Sequence, residues 1–270
     1  MTDKYRRENR KLWDEWTEIH AQSTYYDLHS FKNGKCTLRS IELEELGEVS
    51  GKSLLHLQCH FGMDTLSWAR LGAKVTGIDF SEKAIALARS LSVELNIPSK
   101  FICADIYDLA DILDERFEII FTSYGVLTWL PDLRRWGQII SQLLVPDGTF
   151  YIVEFHPFFY VFDDADDVTE LRIGYPYFES SKPLEIQVQG SYADRKARVS
   201  QSISYEWLHS LGEIINSLTG TGLRIEFLHE FPYSVDPMIP SLMEKGQDGW
   251  WRLKDPEFPL PLMFSLKATK

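Results

Sequence analysis

From about residue 50 onward, short apolar runs alternate with stretches that repeat their apolar positions every three to four residues. Ser53 to Leu57, Lys74 to Asp79, Lys100 to Ala104, Phe117 to Ser123 and Gly148 to Phe155 are four to eight residues long and rich in Ile, Val, Leu and Phe. Runs of that length predict buried strands. Helical spacing marks Asp64 to Leu71, Ser81 to Leu95 with Ser81 as N-cap, and Pro131 to Leu144 with Pro131 in the first turn. Strand, helix, strand, repeated, predicts an α/β fold with a parallel sheet covered on both faces. Pro146-Asp147-Gly148 supplies the turn into the fifth strand.

The rhythm breaks after Phe155. Residues 156–205 hold an aromatic cluster (Phe158, Phe159, Tyr160, Phe162, Tyr175, Tyr177, Phe178), an acidic run (Asp163, Asp164, Asp166, Asp167) and alternating segments such as Glu185 to Gly190. They read as an insertion of hairpins and loop. A helix is expected over Tyr205 to Leu218, with the stripe Leu208, Leu211, Ile215 and Leu218 and a stop at Gly220, followed by strands at Leu223 to His229 and Leu262 to Ala268. Leu12, Trp13, Trp16 and Ile19 mark one face of an N-terminal helix, either laid across the sheet's carboxyl edge or a solvated cap.

Composition narrows the function. The 270 residues carry 28 Lys+Arg against 40 Asp+Glu, a net charge of −12, which disfavours a nucleic-acid partner. No run of 18 apolar residues is present, so no membrane span is expected, and no secretory signal is visible behind the start. Cys36, Cys59 and Cys103 lack metal-type spacing, which predicts a reducing, cytoplasmic setting with neither disulfide framework nor metal site.

In an open parallel sheet, ligands bind beyond the carboxyl ends of the strands, where strand order reverses. The loop after the first strand, Gln58-Cys59-His60-Phe61-Gly62-Met63-Asp64, lacks the glycines at 58, 60 and 63 that a dinucleotide fingerprint requires. Asp79, followed by Phe80, ends the second strand where a carboxylate accepts from both ribose hydroxyls. Asp105 ends the third, where it accepts from an adenine amino group while Ile106 packs on the ring.

Together these positions resemble the class I S-adenosylmethionine-dependent methyltransferases, closely over Gly51 to Phe155 and loosely from Tyr205 onward. The family's glycine loop corresponds to Leu54 to Gly62, its two acids to Asp79 and Asp105, and its turn before strand five to Pro146-Asp147-Gly148. His56 stands where the family usually has an acid, and Gln58 and His60 replace two of three loop glycines. The resemblance implies a Rossmann-like, doubly wound, seven-stranded and mostly parallel sheet with a reversed terminal strand. It implies one domain over 1–270: a cap over 1–50, a cofactor-binding core over 51–155, an insertion serving as substrate lid over 156–205, and a C-terminal helix and strand pair over 206–270.

The implied activity is methyl transfer from S-adenosylmethionine to an O, N or C atom of a small molecule, giving S-adenosylhomocysteine. Gln58, Cys59, His60, Gly62, Asp64, Asp79, Phe80, Asp105, Ile106 and Ser123 are the candidate cofactor-binding residues. Gln58 and His60 meet the cofactor's carboxylate and amine through their side chains or only shape the turn. Cys59 is read as a loop residue rather than a nucleophile, and His56 as a structural histidine. Tyr124 and Trp129 offer aromatic faces to a positive sulfur or pack in the core. His156, ending the fifth strand beside Glu154, is the candidate base, with a buried structural histidine as the other reading. Tyr25 and Tyr26 are placed to roof the cofactor. A nicotinamide-dependent oxidoreductase and a non-catalytic binding module on the same fold are the alternatives.

Overall fold

The structure is a computed structural model that describes residues 2–165, 167–178, 180, 182–254, 257 and 259–270. In chain order the helices are α1 (Thr2–Gln22), α2 (Leu28–Lys32), α3 (Ser40–Leu46), α4 (Met63–Arg70), α5 (Glu82–Glu94), α6 (Leu109–Ile112), α7 (Leu133–Leu143) and α8 (Leu211–Thr219). The strands are β1 (Ser53–Leu57), β2 (Lys74–Asp79), β3 (Lys100–Cys103), β4 (Phe117–Ser123), β5 (Leu144–Phe155), β6 (Leu184–Gln187), β7 (Ile203–Glu206), β8 (Arg224–Phe231), β9 (Met243–Lys245), β10 (Trp251–Leu253) and β11 (Met263–Thr269).

Seven strands form one sheet in the order β3-β2-β1-β4-β5-β11-β8. β1 to β5 run parallel, and β11 is antiparallel to both β5 and β8. This is the expected Rossmann-like architecture. Successive strand residues point to opposite faces. Accordingly, Leu55, Ile120, Phe150 and Ile152 pack with Trp136, Ile140 and Leu218 of α7 and α8, while Leu54, Phe121, Tyr151 and Val153 pack with Trp68 of α4. Both faces are therefore dry, which is why these strands read as continuous apolar runs. Strand order reverses between β1 and β4, and the carboxyl ends of those two strands form the floor of the site.

Three boundaries differ from the sequence reading. Pro131 lies outside α7, because Asp132 is the N-cap, its carboxylate accepting from Arg135 N, and the helix starts at Leu133, two residues later. Pro146-Asp147-Gly148 sits within β5 as a bulge rather than before it: Asp147 has φ 61°, and the pairing with β4 jumps from Phe117–Leu144 to Ile119–Thr149. The helix expected from Tyr205 begins only at Leu211, with Ser210 as its N-cap. Tyr205 belongs instead to β7, where its amide donates to Asn9 Oδ1 and its carbonyl accepts from Asn9 Nδ2. A long-range partner overrides the local periodicity there.

The insertion contains the antiparallel β6–β7 pair, and α1 lies against β7. Among the described residues, no helix is long and apolar enough to cross a membrane.

Candidate active site

The loop after β1 has an unusual backbone. Gln58, His60 and Gly62 have φ of 54°, 49° and 78°, so the chain takes a left-handed step at every second residue. Such steps suit glycine and cost a side-chain-bearing residue about 1 kcal/mol or more. The positions are the three that glycine occupies in the resembled loop, so Gln58 and His60 follow the glycine path. Gly62 has a second requirement: a Cβ there would lie 2.6 Å from the Phe101 ring. The loop is pinned by Cys59 N donating to Ile78 O at 2.8 Å and Gly62 N donating to Cys59 O at 2.9 Å. Beneath it His56 is buried with Nδ1 2.8 Å from Thr65 Oγ1, and burial holds its pKa down to about 3, so it stays neutral. Cys59 is buried, and its thiol is pushed well above its ordinary range by burial and by Asp79. That environment disfavours a nucleophile.

Two carboxylates stand at the ends of β2 and β3. Asp79 Oδ2 accepts from His60 N at 2.8 Å and Oδ1 from Ser81 N at 2.9 Å; burial outweighs these bonds and pushes its pKa up to about 6. Asp105 Oδ1 accepts from Tyr107 N at 3.0 Å, and Oδ2 from Arg6 Nη1 of α1 at 2.7 Å. Asp64, also raised by burial, accepts from Thr37 Oγ1.

A cavity of about 780 Å³ opens above these groups. Its wall includes all ten candidate cofactor residues, Gln58, Cys59, His60, Gly62, Asp64, Asp79, Phe80, Asp105, Ile106 and Ser123, together with Tyr124, Trp129, Tyr25 and Tyr26. Among the described residues, Gln58 Oε1, His60 Nδ1 and Trp13 Nε1 are buried polar atoms of the wall without a hydrogen-bond partner. An unpaired buried polar atom costs about 1–3 kcal/mol, a cost that a ligand supplying partners would offset.

Beyond β4, Tyr124 has φ 44° and its hydroxyl donates to Glu42 Oε2 at 2.9 Å, while Trp129 Nε1 donates to Gly125 O at 2.8 Å. Both rings line the cavity with their polar tips already paired. His156 is not brought to the wall. Its Nδ1 accepts from Phe158 N at 3.1 Å and its Nε2 lies 2.9 Å from Glu230 on β8, on the side of β5 that carries β11 and β8. Position 156 follows the last residue of β5, and its amide bonds Leu262 O, which turns the imidazole away from the site. Neighbouring Glu154 is likewise structural: its carboxylate accepts from the amides of Gly125, Val126, Leu127 and Phe155.

Residues 55–152 match the protein family described as "Methyltransferase domain". Over that stretch the chain is similar to methyltransferase domains. A ubiquinone biosynthesis O-methyltransferase from Chromobacterium violaceum is 29% identical over 146 residues, 54% of this chain and 58% of that protein. One of the same name from Alkalilimnicola ehrlichii is 31% identical over 103 residues, 38% of this chain and 41% of that protein. The chain thus spans about half the length of the curated relatives it matches. Among solved structures, an S-adenosylmethionine-dependent methyltransferase from Mesorhizobium loti superposes with a TM-score of 0.57 at 20% identity, covering 88% of this chain and all of that one. The glycopeptide N-methyltransferase MtfA complexed with S-adenosylmethionine gives 0.53 at 15%, covering 84% and 91%. At these identities the likeness is one of fold.

The matched stretch, 55–152, is roofed by segments outside it. From α1 come Arg6, Asn9, Trp13 and Trp16; from the insertion Tyr160, Asp164, Ile186, Val188, Tyr192, Arg195 and Ser204; and near the C-terminus Asp236. Burial pushes Asp236 up to about 6 and Glu206, which accepts from Ser204 Oγ at 2.8 Å, up to about 7. The sequence reading did not single out Arg6, His20, Arg195, Glu206 or Asp236. One signal was present: Arg6, Asn9, Trp13, Trp16 and His20 recur at three- and four-residue steps, a stripe whose polar members break the apolar pattern. In the acidic run, Asp163 pairs with Arg172 at 2.6 Å and Asp164 accepts from Tyr175 Oη at 2.9 Å; Asp166 lies outside the described residues.

Proposed function

We propose that this protein transfers the methyl group of S-adenosylmethionine to a nucleophilic atom of a small molecule. One observation carries the reading. A loop with left-handed steps at 58, 60 and 62, the β2 acid Asp79 and the β3 acid Asp105 share one cavity above the switch point. The residues present suit such a cofactor. Asp79 and Asp105 are acceptors for ribose hydroxyls and an adenine amino group, Ile106 is an apolar wall for the ring, and Gln58 Oε1 and His60 Nδ1 are free to meet the amino-acid end. The Gln58 amide is orientationally defined, because its Nε2 donates to Val126 O at 3.0 Å, and Oε1 is the end without a partner among the described residues.

When bound, S-adenosylmethionine supplies a methyl group already activated on a positive sulfur. The chain's own work is then positioning and exclusion of water. Tyr124 and Trp129 present ring faces, and Trp13, Tyr160 and Tyr192 close the acceptor side with aromatic surface. Glu206 and Asp236, the raised carboxylates on that side, are the groups placed to take a proton from an acceptor hydroxyl or amine. His156 is set aside as the base because its ring is held between Phe158 and Glu230.

Calorimetric titration with S-adenosylhomocysteine, alongside NADH and the Asp79→Ala variant, tests the proposal. Micromolar binding of S-adenosylhomocysteine, weakened at least tenfold in the variant, is the expected result. Preference for NADH, or no adenosyl binding at millimolar concentration, would overturn it in favour of an oxidoreductase or a non-catalytic module.

A further inference from the structure

A buried chain of three side chains runs from the cavity loop through α1 to the insertion. His60 Nε2 lies 2.8 Å from His20 Nδ1, and His20 Nε2 lies 2.7 Å from Ser191 Oγ. His20 and Ser191 are 0% and 4% exposed. The polarity of this chain follows from counting protons. Ser191 Oγ already accepts from Ala193 N at 3.0 Å, and among the described residues the acceptor within reach of its hydroxyl proton is His20 Nε2. If the hydroxyl donates, His20 Nε2 is the accepting nitrogen and a neutral His20 carries its proton on Nδ1. That proton points at His60 Nε2, which therefore accepts, and a neutral His60 carries its own proton on Nδ1. The opposite arrangement would have His20 Nε2 donate to Ser191 and strand the serine proton without an acceptor in a buried site. Burial lowers the pKa of both imidazoles, His20 to about 3, so neither is charged near neutral pH.

We propose that Ser191 and His20 are positioning residues that lock His60 in its Nδ1–H form, so that the loop presents a permanent hydrogen-bond donor to the cavity. Among the described residues, His60 Nδ1 is a buried atom without a partner, and Gln58 Oε1, two residues away, is a buried acceptor without one. One fixed donor and one fixed acceptor two residues apart on the loop are the complement of an α-amino-acid zwitterion, whose carboxylate accepts and whose ammonium donates. The ligand half of this inference rests on the proposed function; the tautomer does not.

The two halves separate by experiment. In the ¹⁵N-labelled protein at pH 7, long-range proton–nitrogen correlation of the seven imidazoles, with His60 identified by the signal lost in His60→Gln, reads the tautomer directly. The expected pattern for His60 is a protonated Nδ1 and a bare Nε2; a protonated Nε2 or an imidazolium overturns the proposal whatever the protein binds. In Ser191→Ala the hydroxyl donor is gone, and His60 is expected to shift toward the Nε2–H form, with S-adenosylhomocysteine affinity falling about tenfold. Ser191→Thr keeps the hydroxyl and is expected to restore the Nδ1–H pattern. An unchanged tautomer in Ser191→Ala, with amide spectra reporting a folded protein, would remove Ser191 and His20 from any positioning role. A confirmed tautomer with no adenosyl binding would leave the relay standing and refute only the proposed cofactor.

Discussion

The amide of His60 donates to Asp79 Oδ2 at 2.8 Å, so the loop after β1 is tied to the acid at the end of β2. The left-handed φ of His60 places that amide on the Asp79 side of the loop while its imidazole pairs with His20. One strained residue thus orients both a main-chain donor and an imidazole.

Gln58 separates strain from recognition. In Gln58→Gly the relief of φ 54° is worth about 1 kcal/mol and is offset by the greater freedom of glycine in the unfolded chain. Stability by denaturant titration is therefore expected to stay within about 1 kcal/mol of the parent. Affinity for S-adenosylhomocysteine is expected to fall roughly tenfold through loss of Oε1. A large loss of stability would mean that the Nε2 bond to Val126 O, and not the ligand, explains the side chain.

Gly62 is held by sterics rather than by chemistry. Gly62→Ala combines φ 78° with a Cβ 2.6 Å from the Phe101 ring, which is packed in the core beside Ala88 and Ile85. The expected cost is about 2–4 kcal/mol in chemical denaturation, since the ring has little space to yield.

Glu154 organises the segment that carries Tyr124 and Trp129. Its buried carboxylate accepts from four amides, so Glu154→Ala leaves donors at 125, 126, 127 and 155 without it. A loss of at least about 3 kcal/mol is expected, with Glu154→Gln intermediate because one acceptor oxygen remains. Equal stabilities of the two variants would show that water replaces the carboxylate.

Glu42 yields a pH dependence. It is fully buried, accepts from Arg39 N at 2.7 Å and from Tyr124 Oη, and burial pushes its pKa from 4.5 up to about 7. Between those values the folded protein holds a proton that the unfolded chain has released. The contribution of Glu42 is therefore complete below about pH 4.5 and lost as pH rises through 7. Glu42→Gln lacks this titration. It is expected to melt above the parent at pH 8, with the gap closing steadily as the pH is lowered to 4.5, read as the difference in Tm across that range.

The succession of strands and helices along 51–155 and the positions of Gln58, His60, Gly62, Asp79 and Asp105 at strand ends were legible in the sequence. Buried parallel strands are continuous apolar runs, and the site residues sit at fixed offsets from their carboxyl ends. Local pattern failed where a distant partner decided the outcome. Tyr205 has helical periodicity around it yet pairs with Asn9, 196 residues away, and joins a strand. His156 has the right residue type at a strand end, but Glu230 and Leu262 turn its ring aside. By itself the sequence determined the fold and the floor of the cavity. The tertiary structure decided the roof, where α1 brings Arg6 to Asp105 and His20 to His60, because such pairings depend on how separate segments meet and leave no periodicity in the chain.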